Sequence, residues 1–83
     1  MATRLTAHAM MMMERRGIAL NWVEDTMRTP SVVREDEKDK SLSLVFRQVP
    51  EADDKWLRVV YRMEDQTHVV VTAFFDRNQE RRI

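Results

Sequence analysis

The chain has 83 residues, with 14 Lys and Arg against 14 Asp and Glu, one Gly, two Pro and no Cys. A sequence of this length predicts one small domain, because such a chain buries only about 60% of its unfolded surface. Neutral net charge argues against tight non-specific binding to nucleic acid, which depends on neutralising many phosphates. No apolar run approaches a membrane span, and the absence of cysteine predicts a cytoplasmic protein without disulfides.

The scarcity of glycine and histidine excludes several classes of site. Phosphate-binding loops and dinucleotide fingerprints need several glycines at fixed spacing, so neither a P-loop nor a Rossmann turn fits this sequence. His8 and His68 are the only imidazoles, and no thiolate is present to complete a zinc site. The acidic run at 35–39 lacks the central glycine and closing glutamate of a calcium loop. We therefore expect neither a cofactor nor a metal ion.

The first predicted helix covers residues 7–16. Thr6 is suited to cap it, because a threonine hydroxyl accepts a hydrogen bond from an unpaired N–H of the first turn. Gly17 is suited to end it in the left-handed conformation. The four methionines at 10–13 sweep about 300° around a helix, so at least one must be exposed or contact another chain.

A second helix is predicted over residues 20–27. Leu20, Val23 and Met27 fall on one apolar stripe at helical spacing. Pro30 stops this helix, because a proline pushes the preceding residue out of helical geometry.

After Pro30 the apolar period changes from helical to alternating. Four strands are predicted at residues 31–34, 41–49, 56–63 and 68–75, followed by a polar tail over 76–83. Two helices followed by strands predict an α+β domain in which both helices pack on one face of a four-stranded, mainly antiparallel sheet.

Alternation along the last two strands divides their side chains between two faces. The sets expected to face the helices are Leu57, Val59, Tyr61 and Met63 from one strand and Val69, Val71, Ala73 and Phe75 from the other. This arrangement places Arg58, Arg62 and Thr72 together on the open face.

Several motifs resemble a known bacterial family, domain of unknown function 4258. They are Thr6-Ala7-His8-Ala9, Arg16-Gly17-Ile18 with Val23, Trp56-Leu57-Arg58-Val59-Val60 and Val70-Val71-Thr72-Ala73-Phe74. That family is similar in layout to RelE/ParE-like toxins and to barnase-like ribonucleases. The resemblance implies metal-independent RNA cleavage, or a related fold kept only for binding. Two positions depart from the family pattern: Met12 stands where an arginine is frequent, and Ala19 where a serine or threonine is frequent.

Two residues of the first helix are candidates for a ribonuclease site. His8 lies in the first turn, where the helix dipole disfavours the imidazolium and leaves a neutral ring that can take a proton from a ribose 2′-OH. The alternative is that His8 braces the helix. Arg16 can neutralise a scissile phosphate, or it can bind carbonyl groups at the helix end.

The open face of the predicted sheet supplies the other two candidates. Arg58 can stabilise charge that develops on the transferring phosphate, and Thr72 can position a phosphate oxygen. The alternatives are that Arg58 serves solubility and that Thr72 is simply a good strand former. No general acid is evident unless His68 or Tyr61 supplies it.

Two further interpretations involve no catalysis. One is a module that binds an antitoxin-like protein or a second copy of itself through its methionine-rich surface or a sheet edge, because methionine suits adaptable contacts. The other is an RNA-binding domain in which Trp56, near Arg58, forms a stacking platform.

Overall fold

Residues 2–77 are described by a computed structural model, and they form two helices and one five-stranded mixed sheet. The helices are α1 (Ala7–Arg16) and α2 (Leu20–Arg28). The strands are β1 (Ala2–Leu5), β2 (Val32–Glu35), β3 (Leu42–Val49), β4 (Lys55–Glu64) and β5 (Thr67–Phe75). The sheet order is β1-β5-β4-β3-β2. The predicted α+β class is confirmed. No helix in the described range is long and apolar enough to cross a bilayer.

The prediction of four mainly antiparallel strands is wrong in one respect, because β1 adds a fifth strand. This strand pairs in parallel with β5, from Ala2 opposite Thr67 to Leu5 opposite Val70. The backbone N–H of Thr6 then donates to the Val70 carbonyl before α1 begins. Of these four residues only Ala2 and Leu5 are apolar, and they do not alternate with polar ones, so the pairing depends on the edge that β5 offers.

Helix α1 begins and ends at the predicted residues. The Thr6 hydroxyl accepts a hydrogen bond from the Ala9 N–H at 3.0 Å. Gly17 adopts φ 65°, and the Ile18 N–H donates to the Met13 carbonyl. As their angular spread predicts, the methionines divide between environments: Met13 lies in the core, whereas Met10 and Met11 expose 53% and 49% of their surface.

The sheet carries an apolar cluster on each face. The helix-covered face buries Ala9, Met13, Ile18, Val23, Val45, Val49, Leu57, Val59, Val70 and Ala73. The opposite face, called the open face below, buries Leu44, Phe46, Trp56 and Val60. Leu57 and Val59 therefore face the helices, as predicted. Arg58 and Val60 alternate with them along β4 and lie on the open face.

A β-bulge in β5 overturns part of the predicted alternation. Val60 pairs with Thr72 and Tyr61 pairs with Val70, so Val71 is an extra residue without an opposite partner. The alternation is consequently interrupted: Val70 packs under the helices and Val71 packs in the open-face cluster. The prediction that Val71 faces the helices is therefore wrong, and so is the same prediction for Val69, which lies opposite Arg62 on the other face. Ala73 packs under the helices as expected.

The predicted polar tail lies mostly outside the described residues, which stop at Arg77. Asp76, its first residue, is buried, and its N–H donates to the Trp56 carbonyl at 2.8 Å. This residue is therefore fixed against β4.

Helix α2 has no side-chain cap at its N-terminus, where Ala19 occupies the capping position with φ −74° and ψ 145°. Ala19→Ser should stabilise the protein by about 1 kcal/mol, because the new hydroxyl can accept from an unpaired N–H in the first turn. Urea unfolding followed by tryptophan fluorescence measures the change. Ala7→Ser, one residue beyond the cap of α1, is the control and should give no such gain. Equal effects of the two substitutions would contradict this account of the cap.

Candidate nucleic-acid interface

Cations and aromatic rings alternate in a single row across the open face. The arginine–phenylalanine row consists of Arg34, Phe46, Arg58, Phe74 and Arg16, in spatial order. The guanidinium carbon of Arg34 lies 5.9 Å from the Phe46 ring centre, and that of Arg58 lies 5.8 Å from the same ring. Arg58 is also 5.1 Å from the Phe74 ring centre, and Arg16 is 5.5 Å from it. All four separations lie within the range of cation–π attraction.

Strand register explains why the row forms. Phe46, Arg58 and Phe74 lie directly opposite one another on β3, β4 and β5. Neighbouring strands are about 4.8 Å apart, so the Arg58 side chain is placed between two rings on adjacent strands. Phe46 is fully buried although neither α1 nor α2 covers this face, because its ring packs in the open-face cluster and two guanidinium groups lie over it.

Arg58 is also ion-paired from the end of β5. One of its terminal nitrogens donates to the Asp76 carboxylate at 3.2 Å, and the two side chains are 24% and 6% exposed. Its Nε is buried and has no hydrogen-bond partner among residues 2–77. Rings on both sides and a carboxylate at its end hold this guanidinium in one orientation.

Asp36 contributes a second carboxylate near the open face. The backbone N–H groups of Asp39 and Lys38 both donate to it at 2.9 Å and lower its pKa below the usual value. Arg58 lowers that pKa further through its positive charge. Like an ordinary aspartate, this carboxylate is ionised at neutral pH, and it adds a weak, solvent-screened attraction to Arg58.

Arg16 joins the helix layer to the open face. It stands in the last turn of α1, and its guanidinium donates to the Ala73 carbonyl at 2.7 Å. Beyond Val70, β5 has no pairing with β1, which leaves the Ala73 carbonyl accessible from that edge. Arg16 thus passes around the edge of the sheet to reach Phe74.

A pocket lies where β5 and α1 end and β4 begins, and we call it the β5-end pocket. Its volume is about 570 Å³, and its lining residues are Arg16, Lys55, Trp56, Phe74, Phe75, Asp76 and Arg77. Volumes of this order are typical of small-ligand sites. The row therefore ends in a concavity that contains both cations and rings.

The structure brings three of the four predicted site residues near one another and separates the fourth. Thr72 lies on the open face opposite Val60, diagonal to Arg58, and Arg16 reaches Phe74 beside them. His8 is exposed in the first turn of α1, on the helix side of the sheet. Eight residues of helix, a rise of about 12 Å, separate it from Arg16 along the axis of α1.

The suggested general acids lie away from the open face. Tyr61 packs against the helix-side cluster, and the His68 ring contacts it edge-on at 5.0 Å. Trp56 is on the open side as expected but is only 6% exposed, so it offers little surface for stacking. In the described range, no His, Asp and Glu side chains group in a way that could hold a metal ion.

The sequence interpretation missed several members of the site: Arg34, Lys55, Phe74, Asp76 and Arg77. A weak signal existed for Phe74, since alternation placed it on the same face as Thr72. Arg34 and Asp76 gave no such signal, because their contacts depend on the register of β2 and on where the chain turns after β5.

A comparison with protein-family models identifies the family of this chain. The model described as domain of unknown function DUF4258 matches residues 5–75. The chain belongs to the DUF4258 family. No curated protein and no solved structure matches it significantly. The matched DUF4258 range includes the whole arginine–phenylalanine row, whereas Asp76 and Arg77 lie just beyond it.

Arg58→Met tests whether the centre of the row stabilises this DUF4258 domain. The substitution removes the ion pair with buried Asp76 and two ring contacts, and we expect a loss of about 2 to 4 kcal/mol in unfolding free energy. Arg62→Met is the control, because Arg62 occupies the same face and strand but pairs with exposed Glu64. Its loss should stay below about 1 kcal/mol. Equal losses in urea unfolding would show that the rings and Asp76 add nothing to Arg58.

Proposed function

We propose that this domain binds single-stranded RNA across its open face. The observation that carries the proposal is the arginine–phenylalanine row, which holds three guanidinium groups on one surface of a chain with no net charge. Guanidinium groups bind phosphate oxygens with two parallel hydrogen bonds and also stack on bases.

The spacing of the row suits an extended strand. Arg34 and Arg58 belong to strands two positions apart in the sheet, so their backbones are separated by about 10 Å. Arg16 extends the series past the edge of β5. Successive cations at such intervals can follow a nucleic-acid backbone, while the half-buried Phe74 ring offers a surface for a base.

RNA binding is compatible with the zero net charge of the chain, because carboxylates lie close to the arginines of the row. Asp36 and Asp76 balance part of the positive charge on Arg58. The charge available to neutralise RNA phosphates is therefore smaller than that of three arginines. We therefore expect moderate affinity and a shallow dependence on salt rather than the steep one of a strongly basic protein.

Neighbouring arginines on α1 provide a matched test. Arg16→Gln should weaken the binding of a fluorescein-labelled oligoribonucleotide about tenfold, which corresponds to roughly 1.4 kcal/mol, and should reduce the salt slope by about one. Arg15→Gln changes the net charge by the same amount at the neighbouring position of α1. Arg15 makes no contact with Phe74, so this substitution should leave binding unchanged. Fluorescence anisotropy measures both variants. Equal weakening, or no binding by the unaltered protein, would refute the proposal.

Ribonuclease activity of the RelE/ParE kind is the second candidate, and the exposure of His8 supports it. RNA that leaves the row at Arg16 and runs along α1 would bring a ribose 2′-OH to that imidazole, which could act as the base. The separation of His8 from Arg58 and the position of His68 and Tyr61 away from the open face make binding the stronger proposal.

Cleavage can be tested separately from binding. The labelled RNA is incubated with protein in the presence of a metal chelator and analysed on a denaturing gel. If His8 is the base, the unaltered protein should shorten the RNA, and His8→Ala should abolish this while leaving anisotropy binding intact. Intact RNA with the unaltered protein, or equal cleavage by His8→Ala, would exclude this role of His8.

A further inference from the structure

The β5-end pocket contains groups that the arginine–phenylalanine row does not use. Lys55 and Arg77 line the pocket with Arg16, but only Arg16 belongs to the row. Phe75 lies on the opposite side of β5 from Phe74 and packs toward the helices, so the pocket wraps around the end of the strand. These features indicate a binding site in its own right at the end of the RNA path.

The net charge of the pocket lining indicates which kind of phosphate group would fit the pocket. Arg16, Lys55 and Arg77 bring three positive charges and Asp76 one negative charge, which leaves a surplus of two. Asp76 is in addition paired with Arg58. A phosphodiester inside an RNA chain carries one negative charge, whereas a terminal phosphate monoester carries between about 1.5 and 2 at neutral pH. The surplus matches the monoester better.

Two of the cations are already positioned. The Arg16 guanidinium is fixed by the Ala73 carbonyl and the Phe74 ring, and the Lys55 ammonium lies 5.7 Å from the Phe75 ring centre. Guanidinium carries five N–H donors, so donors remain for a phosphate after the bond to Ala73. Less side-chain freedom is lost on binding when the cations are held in this way.

The volume and the rings indicate what accompanies the phosphate. About 570 Å³ is enough for a small organic ligand rather than for an anion alone. Phe74 and Phe75 are half-buried, and their edges and the Arg16 guanidinium plane offer surfaces against which a base can stack.

We propose that the β5-end pocket binds one nucleotide bearing a terminal phosphate monoester, an inference that builds on the RNA binding proposed above. The phosphate contacts Arg16, Lys55 and Arg77, and the base lies against the rings. The same chemistry is present at a phosphorylated end of an RNA chain and in a free nucleoside monophosphate.

Three matched oligoribonucleotides and one free nucleotide test this inference. The oligonucleotides share one sequence and carry a 5′-phosphate, a 3′-phosphate or hydroxyls at both ends; the free ligand is uridine 5′-monophosphate. Trp22→Phe leaves Trp56, which lines the pocket, as the single tryptophan and provides a fluorescence signal there. We expect one phosphorylated end to bind about tenfold more tightly than the hydroxyl-ended strand, with a change in Trp56 emission.

Lys55→Gln in the same background should abolish the preference, so that the phosphorylated strands bind no more tightly than the hydroxyl-ended strand. Lys38→Gln is the control, because it removes the same charge at a distance from the pocket. Lys38 precedes the first residue of β3, whereas Lys55 lies opposite Val49, the last residue of that strand. This variant should keep the preference. Thermal melting of each variant confirms that the comparison is between folded proteins.

The possible results separate the two proposals. Equal affinity for phosphorylated and hydroxyl ends overturns the pocket assignment and leaves RNA binding in place. Binding of uridine monophosphate without binding of any oligonucleotide supports the pocket and refutes the RNA proposal. Inorganic phosphate competing as well as the nucleotide shows that no base is recognised, which overturns the assignment of a nucleotide.

Discussion

The open face depends on the position of one guanidinium between two rings. Arg58 lies between Phe46 and Phe74 and is ion-paired with Asp76, so a charged side chain fills a place that a helix fills on the other face. An arginine can do this because its flat, weakly hydrated group stacks on rings and still donates hydrogen bonds at its edge. Together with Arg34 and the apolar cluster of this face, Arg58 keeps the Phe46 ring buried.

That arrangement also limits what the surface can do chemically. A guanidinium held by two rings and a carboxylate is oriented, but part of its charge is already balanced. At the two ends of the row, Arg16 is exposed and Arg34 lies over one ring rather than two, so both are better placed to contact a ligand. In the RNA complex proposed above, the central arginine is therefore mainly a positioning group, and the contacts with RNA fall to the ends of the row and to the pocket beside Arg16.

The prediction of which side chains share a face succeeded where local pattern was sufficient. Thr72 and Arg58 share a face because alternation along each strand places them there, and Arg16 lies at the end of α1 because Gly17 ends that helix. It failed for contacts between strands that are distant in sequence. No pattern in the sequence indicated that Arg34 belongs to the site, because only the register of β2 on β3 brings it to Phe46.

The sequence by itself determined both helices, their ends and the four strands that carry apolar alternation, because caps, breakers and side-chain periodicity act over a few residues. The tertiary structure decided the rest. It added β1, whose residues have little strand preference and pair only because β5 offers an unpaired edge. It set the bulge at Val71, which reverses the faces within β5, and it fixed Asp76 against Arg58. Each of these depends on which strands are neighbours, and neighbours are chosen by the packing of the whole chain.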